Sequence, residues 1–310
     1  MKQNVIAVVG PTAVGKTQLS IEIAKAFQGN IISGDSMQVY QGLDIGTAKI
    51  TKPEMQGIPH YMIDIKQPDE PFSVADYRDY VQYYIAQIAE FGHLPILAGG
   101  SGLYIQAALC NYHFSEQRRN KNRTEELEAI IHRDGPDQLY QFLQKVDPEQ
   151  AKKIHPNNHR RLIRAIEIYE TTGTTMTENR KKQGVSPYNP IFVGLEMERK
   201  QLYDRINKRV DQMMQTGLLD EVTDLFNRGL ENEQSMRGIG YKEFIPYLKG
   251  EQSLEVAIEH VKRNSRRFAK RQYTWFKNKM NVHWYRIQPD NIDQKFQTIL
   301  GDLAGIMEET

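Results

Sequence analysis

The chain has 310 residues, 39% hydrophobic and 25% charged, a balance that builds a packed core and excludes wholesale disorder. Its 40 Lys and Arg against 39 Asp and Glu leave a net charge of +1, so bulk charge directs it to neither nucleic acid nor membrane, and any polyanion must be met by local patches. No apolar run approaches the roughly 18 to 20 residues of a membrane-spanning helix, and a lone Cys110 in an apolar stretch reads as a small buried hydrophobe in a reducing compartment.

The length predicts one substantial α/β core plus a smaller unit. Residues 4–9 (NVIAVV) are a β-branched run followed by GPTAVGKT and a helical pattern on Leu19, Ile23 and Phe27: strand, loop, helix. Because that first run leads straight into the glycine-rich loop, it reads as a strand and not as a cleaved signal, in a cytoplasmic protein. A second run, Asn30 to Ser33, ends at Gly34-Asp35, and a third, Leu94 to Ala98, ends at Gly99-Gly100 before a helical stretch from Gly102 to Leu109. Such alternation predicts a doubly wound parallel sheet. Residues 115–190 carry helical periodicity and no clear strand, which predicts a helical insertion, with the core formed by 1–114 and 191–310. A fourth strand is expected at Ile191 to Glu196. Helical sequence follows, interrupted at Gly217 and capped near Gly229, then a long helix over 253–279 with a seam of Leu254, Ile258, Val261, Phe268 and Trp275, and a last strand at Val282 to Ile287.

The segment Gly10-Pro11-Thr12-Ala13-Val14-Gly15-Lys16-Thr17 fits G-x-x-x-x-G-K-[ST], a P-loop whose backbone amides wrap phosphate oxygens at a helix N-terminus. Lys16 reaches the oxygens as a point charge, and the Thr17 hydroxyl is placed to ligate Mg²⁺. The loop alone leaves the reaction open, although the chain has no Asn-Lys-x-Asp element for reading guanine. Asp35, at the carboxyl end of the second strand, faces the ligand crevice of such a sheet; it can hold Mg²⁺ through water, take a proton or cap the next turn.

The ordered set GPTAVGKT, GDSMQVYQGLDIGTAK, LAGGSGLY, HPNNHRRLIRAIEIYE, MRGIGYKE and RRFAKRQYTWFKN closely resembles the tRNA dimethylallyltransferases, also called tRNA isopentenyltransferases, from Val5 to about Tyr285. The resemblance implies transfer of a dimethylallyl group from dimethylallyl diphosphate to the exocyclic amine of the adenosine immediately 3′ of the anticodon in tRNA. It implies diphosphate on the loop, Asp35 as general base, Ser101 as a hydroxyl near the adenine amine, and Arg205 beside the diphosphate. Ser101 stands where the family has threonine, and Met236-Arg237-Gly238-Ile239-Gly240-Tyr241 departs from the family's Gln-Ala-Ile-Gly-Tyr. By the same resemblance, the tRNA anticodon stem-loop is met at Asp35, Ser36, Met37 and Gln38, at Ser101 and Arg123, at His159, Arg160, Arg161, Leu162 and Ile163, and from Arg237 through Gly238, Ile239, Gly240 and Tyr241 to Lys242.

Charge adds an independent signal. Residues 262–279 hold eight basic residues and no acid. Lys262, Arg266 and Lys270 recur every four residues, as do Arg263, Arg267 and Arg271, so a phosphate-binding stripe is expected on this helix, with Lys262, Arg266, Lys270 and Arg271 as its contacts. The insertion adds Arg118, Arg119, Lys121 and Arg164. Mg²⁺ is the expected cofactor, tRNA and dimethylallyl diphosphate are the expected partners, and a monomer without membrane attachment is expected. A transferase acting on free adenine nucleotides, a small-molecule kinase and a nucleotide-dependent RNA-binding protein are the rival readings. The single cysteine, without CxxC, leaves no zinc element of the kind some eukaryotic relatives carry.

Overall fold

A computed structural model describes residues 2–110, 120–181 and 185–308. In chain order the elements are β1 (Asn4–Val9), α1 (Lys16–Ala26), β2 (Gly29–Gly34), β3 (His60–Tyr61), α2 (Val74–Glu90), β4 (Leu94–Gly99) and α3 (Gly102–Leu109). Then come α4 (Lys121–Asp134), α5 (Asp137–Val146), α6 (Pro148–Ala151), α7 (His159–Thr172) and α8 (Met176–Lys181). The chain continues through β5 (Asn189–Glu196), α9 (Arg199–Gln215), α10 (Leu218–Asn227), α11 (Ile245–Leu248), α12 (Leu254–Lys279), β6 (His283–Arg286) and α13 (Ile292–Glu308). It divides into two compact units, residues 1–109 with 186–310, and residues 110–185. Among the described residues, no helix is long and apolar enough to cross a membrane.

The larger unit is built on a parallel sheet in the order β3-β2-β4-β1-β5-β6. β1 is buried along nearly its whole length because helices cover both faces, which is why its sequence is a continuous apolar run and not an alternating one. Ile6 and Val8 point into a core shared with Leu19 and Ile23 of α1, Leu202 and Ile206 of α9, and Phe296, Ile299 and Leu303 of α13. On the sheet, α2 and α3 pack against β4, with Tyr77, Val81, Ile85 and Ile88 as the buried stripe of α2. The sequence reading did not include α2, α13 or the two-residue β3. A capping box at Ser73 and Asp76 marks the start of α2, and the spacing of Phe296, Ile299 and Leu303 marks α13, so both carried a readable signal.

The smaller unit is helical among its described residues, with a core of Leu127, Ile131, Leu139, Leu143, Ile154 and Leu162 among others. Buried Asp147 ties it together, accepting from the Gln150 amide at 3.0 Å, the Thr177 amide at 3.1 Å and the Thr177 hydroxyl at 2.6 Å. Arg118 and Arg119 lie outside the described residues.

The seam of α12 differs from its expectation. Ala257, Val261, Ala269, Gln272 and Phe276 are buried, while Leu254, Ile258, Phe268 and Trp275 are half-buried on its flanks. Small alanines let the helix approach closely, and an amide can occupy the seam because both of its ends are hydrogen-bonded.

The carboxyl ends of β2 and β4 meet at a pair of glycines in register, Gly34 and Gly99. A Cβ on Gly99 would lie 2.2 Å from the Gly34 carbonyl carbon, so only two bare backbones can pass this closely. Gly99→Ala should therefore force the strands apart and lower stability at the upper end of the roughly 1–3 kcal/mol that overpacking costs. A shift in the urea midpoint measures it, and an unshifted midpoint would contradict the close approach.

Candidate active site

Four segments, three of them following strands at the carboxyl end of the sheet, and one helix converge on this site. The first is the P-loop between β1 and α1, where Ala13 at φ 64 and Gly15 at φ 109 take the left-handed backbone that turns successive amides into an anion nest. Lys16 begins α1 and donates to the Pro11 carbonyl at 2.8 Å, while Thr17 is exposed beside it. The second segment follows β2. The Met37 amide donates to the Asp35 carboxylate at 2.8 Å, which fixes the carboxylate in a turn. The third follows β4, where the Ser101 amide donates to the Gly34 carbonyl at 3.1 Å and the Ser101 hydroxyl accepts from the Ser36 amide at 3.3 Å. The glycine pair thus holds Ser101 against the Asp35 turn. The fourth, residues 238–242, closes the far wall.

Helix α9 supplies the cations. Leu202, Ile206 and Val210 are its buried face, which leaves Arg205 and Arg209 together on the adjoining strip. Arg205 Nε donates to the Ala13 carbonyl at 3.1 Å, and Arg209 reaches the Thr12 hydroxyl at 3.4 Å. Arg209 was absent from the expected site. Its four-residue spacing from Arg205 on one helix face was the available signal.

Electrostatics here are governed by burial. Desolvation lowers the Lys16 ammonium from an ordinary 10.5 to about 7; the neighbouring Arg209 guanidinium pushes the same way, and Asp35 opposes them. Burial also lowers the Arg209 guanidinium, against the attraction of Asp35. For Asp35, burial raises the carboxyl above its ordinary range despite the Met37 amide and the charges of Lys16 and Arg209.

Two adjoining cavities open on this cluster. One, of about 560 Å³, is lined by Lys16, Thr17, Gly100, Arg205, Lys208 and Gln272, among others. The other, of about 300 Å³, has a wall of Ser36, Met37, Ser101, the turn at Gly46 and Thr47, and Arg237 through Lys242. Thr12, Ala13, Asp35, Arg209 and Phe268 line both. The structure thus brings Asp35, Ser101, Arg205 and the loop together, with Ser36, Met37 and the 237–242 segment on the second cavity. Gln38 is engaged internally: its amide oxygen accepts from the Ser33 hydroxyl at 2.8 Å, and its nitrogen donates to the Thr47 carbonyl at 3.2 Å.

The remaining expected residues fall into different environments. Leu162 and Ile163 are buried in the core of the helical unit and offer only backbone to a partner, whereas His159, Arg160 and Arg161 are exposed. Arg123 makes a two-pronged pair with Glu170, at 2.9 and 2.7 Å, and a third bond to Glu126. On α12, Lys262 pairs with Asp211 of α9 at 2.7 Å, and Arg266 donates to Asn207 of α9 at 2.6 Å. These two residues of the row are engaged with a neighbouring helix. Lys270 and Arg271 are exposed.

A parallel α/β sheet, a phosphate loop ringed by half-buried cations and a carboxylate shared by two cavities define an enzyme of the P-loop class. Residues 38–279 match the family model described as IPP transferase, and the chain belongs to that family. It is 61% identical over its full length to a protein from Oceanobacillus iheyensis named tRNA dimethylallyltransferase, covering 99% of that relative. A protein of the same name from Halalkalibacterium halodurans is 51% identical, also with 99% covered. Among solved structures, the full-length tRNA isopentenylpyrophosphate transferase from Bacillus halodurans superimposes with a TM-score of 0.77 at 50% identity, over 99% of this chain and 98% of that one. A eukaryotic dimethylallyltransferase described as acting on tRNA gives 0.84 at 31% identity, over 98% of this chain and 80% of that one.

The lowered Lys16 value has a measurable sign. Between about 7 and 10.5 the folded, ligand-free chain holds fewer protons than the unfolded one, so this group makes stability rise with pH across that window. A bound diphosphate restores the ammonium, so binding an alkyl diphosphate above about pH 7 should take up a proton at Lys16. Calorimetry in buffers of different ionisation enthalpy should record that uptake, and Lys16→Met should remove it. Equal uptake in both proteins would assign the proton elsewhere.

Proposed function

We propose that this chain transfers a dimethylallyl group from dimethylallyl diphosphate to the exocyclic amine of the adenosine immediately 3′ of the anticodon in tRNA. The observation that carries the reading is the pair of cavities meeting at Asp35, one opening on the phosphate loop and the other on Ser101 and residues 237–242. A donor held by its diphosphate in the first presents its carbon toward the second. An extruded base enters the second, as modification of an unpaired loop base requires.

In this reading the donor's carbon–oxygen bond breaks as the amine nitrogen bonds to the carbon, diphosphate leaves, and the amine proton passes to Asp35. An adenine amine is a weak nucleophile because its lone pair is delocalised, so proton acceptance aids the attack. Burial suits Asp35 to that task by raising its carboxyl toward neutral pH. Lys16, Arg205, Arg209 and the loop amides oppose the charge that grows on the leaving diphosphate. Ser101, held against the Asp35 turn, orients the amine.

A divalent ion fits this donor set. Thr17 offers an exposed hydroxyl oxygen, and no cluster of three His, Cys, Asp or Glu exists among the described residues, so the remaining ligands would be phosphate oxygens and water, the coordination Mg²⁺ prefers. When bound there, Mg²⁺ supplies further neutralisation of the leaving group.

For RNA, exposed Lys270 and Arg271 on α12 and exposed His159, Arg160 and Arg161 on α7 provide phosphate contacts. Undermodified tRNA, AMP and ATP offered together with labelled dimethylallyl diphosphate test the reading: label should enter tRNA without ATP consumption, and label in AMP or consumption of ATP would replace it. Asp35→Asn, which keeps the shape but not the basicity, should cut single-turnover transfer by about 10²–10⁴ with a much smaller change in tRNA affinity. Near-normal turnover would make Asp35 an orienting group only. Lys270→Gln should reduce the slope of log affinity against log salt by about 0.7 to 0.9, with transfer intact at saturating tRNA. An unchanged slope would leave this face merely solvated.

A further inference from the structure

The wall of the smaller cavity is made by two turns far apart in sequence, 44–47 and 238–242, and a single carboxylate joins them. Glu221, in the first turn of α10, accepts from the Asp44 amide at 2.9 Å and the Ile45 amide at 2.8 Å through one oxygen. Its other oxygen accepts from the Gly46 amide at 3.0 Å and the Tyr241 hydroxyl at 2.7 Å. Among the described residues no Lys or Arg forms an ion pair with Glu221, so its charge is spent on three backbone amides and one phenol. Tyr241 is fully buried, and its ring stands 2.5 Å from where a Cβ on Gly46 would lie. Burial and the Glu221 charge push the Tyr241 hydroxyl well above its ordinary value, so it stays a donor.

We infer that Glu221 is a positioning residue for the acceptor: it sets the spacing of the 44–47 and 238–242 turns and so the width of the slot that receives the base. The inference rests on assigning that cavity to the acceptor. Four donors converge on two oxygens, an arrangement only a carboxylate satisfies. Glutamine keeps the length but turns an NH₂ group toward two of the donors, so one turn must move away. Neither turn carries Lys16, Thr17, Arg205 or the loop; the 44–47 turn meets the larger cavity through Gln38, which donates to the Thr47 carbonyl, while the cations and loop amides on the donor side are held by other contacts. The adjacent Val222, fully buried on another face of α10, supplies a control that loosens the helix without touching these hydrogen bonds.

Glu221→Gln and Val222→Ala should be compared for binding of an anticodon stem-loop RNA, for binding of pyrophosphate and for KM toward tRNA and dimethylallyl diphosphate. In Glu221→Gln the RNA Kd and tRNA KM should rise about tenfold, while pyrophosphate Kd and donor KM stay within about twofold. Val222→Ala, at a comparable loss of Tm, should bind RNA as the wild type does. Unchanged RNA binding in Glu221→Gln, or equal weakening in Val222→Ala at matched Tm loss, overturns the inference. If the wild type transfers no label to tRNA, the functional reading falls, yet the RNA titrations still decide the role of Glu221; if it transfers normally and Glu221→Gln binds RNA normally, only the inference falls.

Discussion

The amide of Gln272 donates to the Gly100 carbonyl at 3.1 Å, and its oxygen accepts from the Thr12 amide at 2.8 Å. A side chain 5% exposed at the centre of α12 thereby satisfies two backbone groups from the loops that follow β1 and β4. A buried amide left half-paired costs about 1–3 kcal/mol, so these two loops and the helix are held in one arrangement or none. Gly100 has no side chain in the space the Gln272 nitrogen occupies, since a Cβ there would fall 1.9 Å from that nitrogen. This bridge ties the spacing of the phosphate loop to that of the Gly100-Ser101 turn, and in the proposed reading it spaces donor and acceptor.

On that frame the cations are arranged at a cost. Lys16, Arg205 and Arg209 crowd around a single carboxylate, and burial lowers the ammonium of Lys16 and the guanidinium of Arg209. A ligand-free cluster of this kind lacks counter-charge, which is how a fold stores affinity for an anion. The same desolvation acts on Asp35 in the opposite sense and leaves a carboxyl that takes up a proton more readily than an exposed one. One physical cause, desolvation at the junction of the two cavities, therefore acts on both, and in the proposed reading it prepares a cation-rich cradle for the leaving group and a basic oxygen for the proton.

Much of this was legible in the sequence, and the reason is local. The phosphate loop, the strands before it and after it, and Asp35 at a strand end are short-range patterns in which residue order dictates geometry. Arg209, Gln272 and Glu221 were not legible because their roles depend on partners 172 to 260 residues away, such as Thr12 for Gln272. Polar residues inside a helical stretch read as solvent-facing unless those partners are known. Leu162 and Ile163 show the converse, since the family resemblance placed them with the RNA contacts while the helical period placed their side chains in the core.

The basic helix joins these lessons. Eight positive charges without an acid over residues 262–279 suggested a uniform phosphate stripe. The structure divides it along the helix: Lys262 and Arg266 are bound to Asp211 and Asn207 of α9, while Lys270, next on the same strip, and Arg271 remain open. The inward pair is not idle. It fixes the helix that carries Arg205 and Arg209, whose placement at Ala13 and Thr12 depends on where α9 sits. One helix thus keeps exposed charge at Lys270 and Arg271, holds α9 with its Arg205 and Arg209 through Lys262 and Arg266, and is fixed to the phosphate loop by Gln272 on its buried seam. RNA drawn to the outer face would rest on an element already committed to the geometry of the reaction.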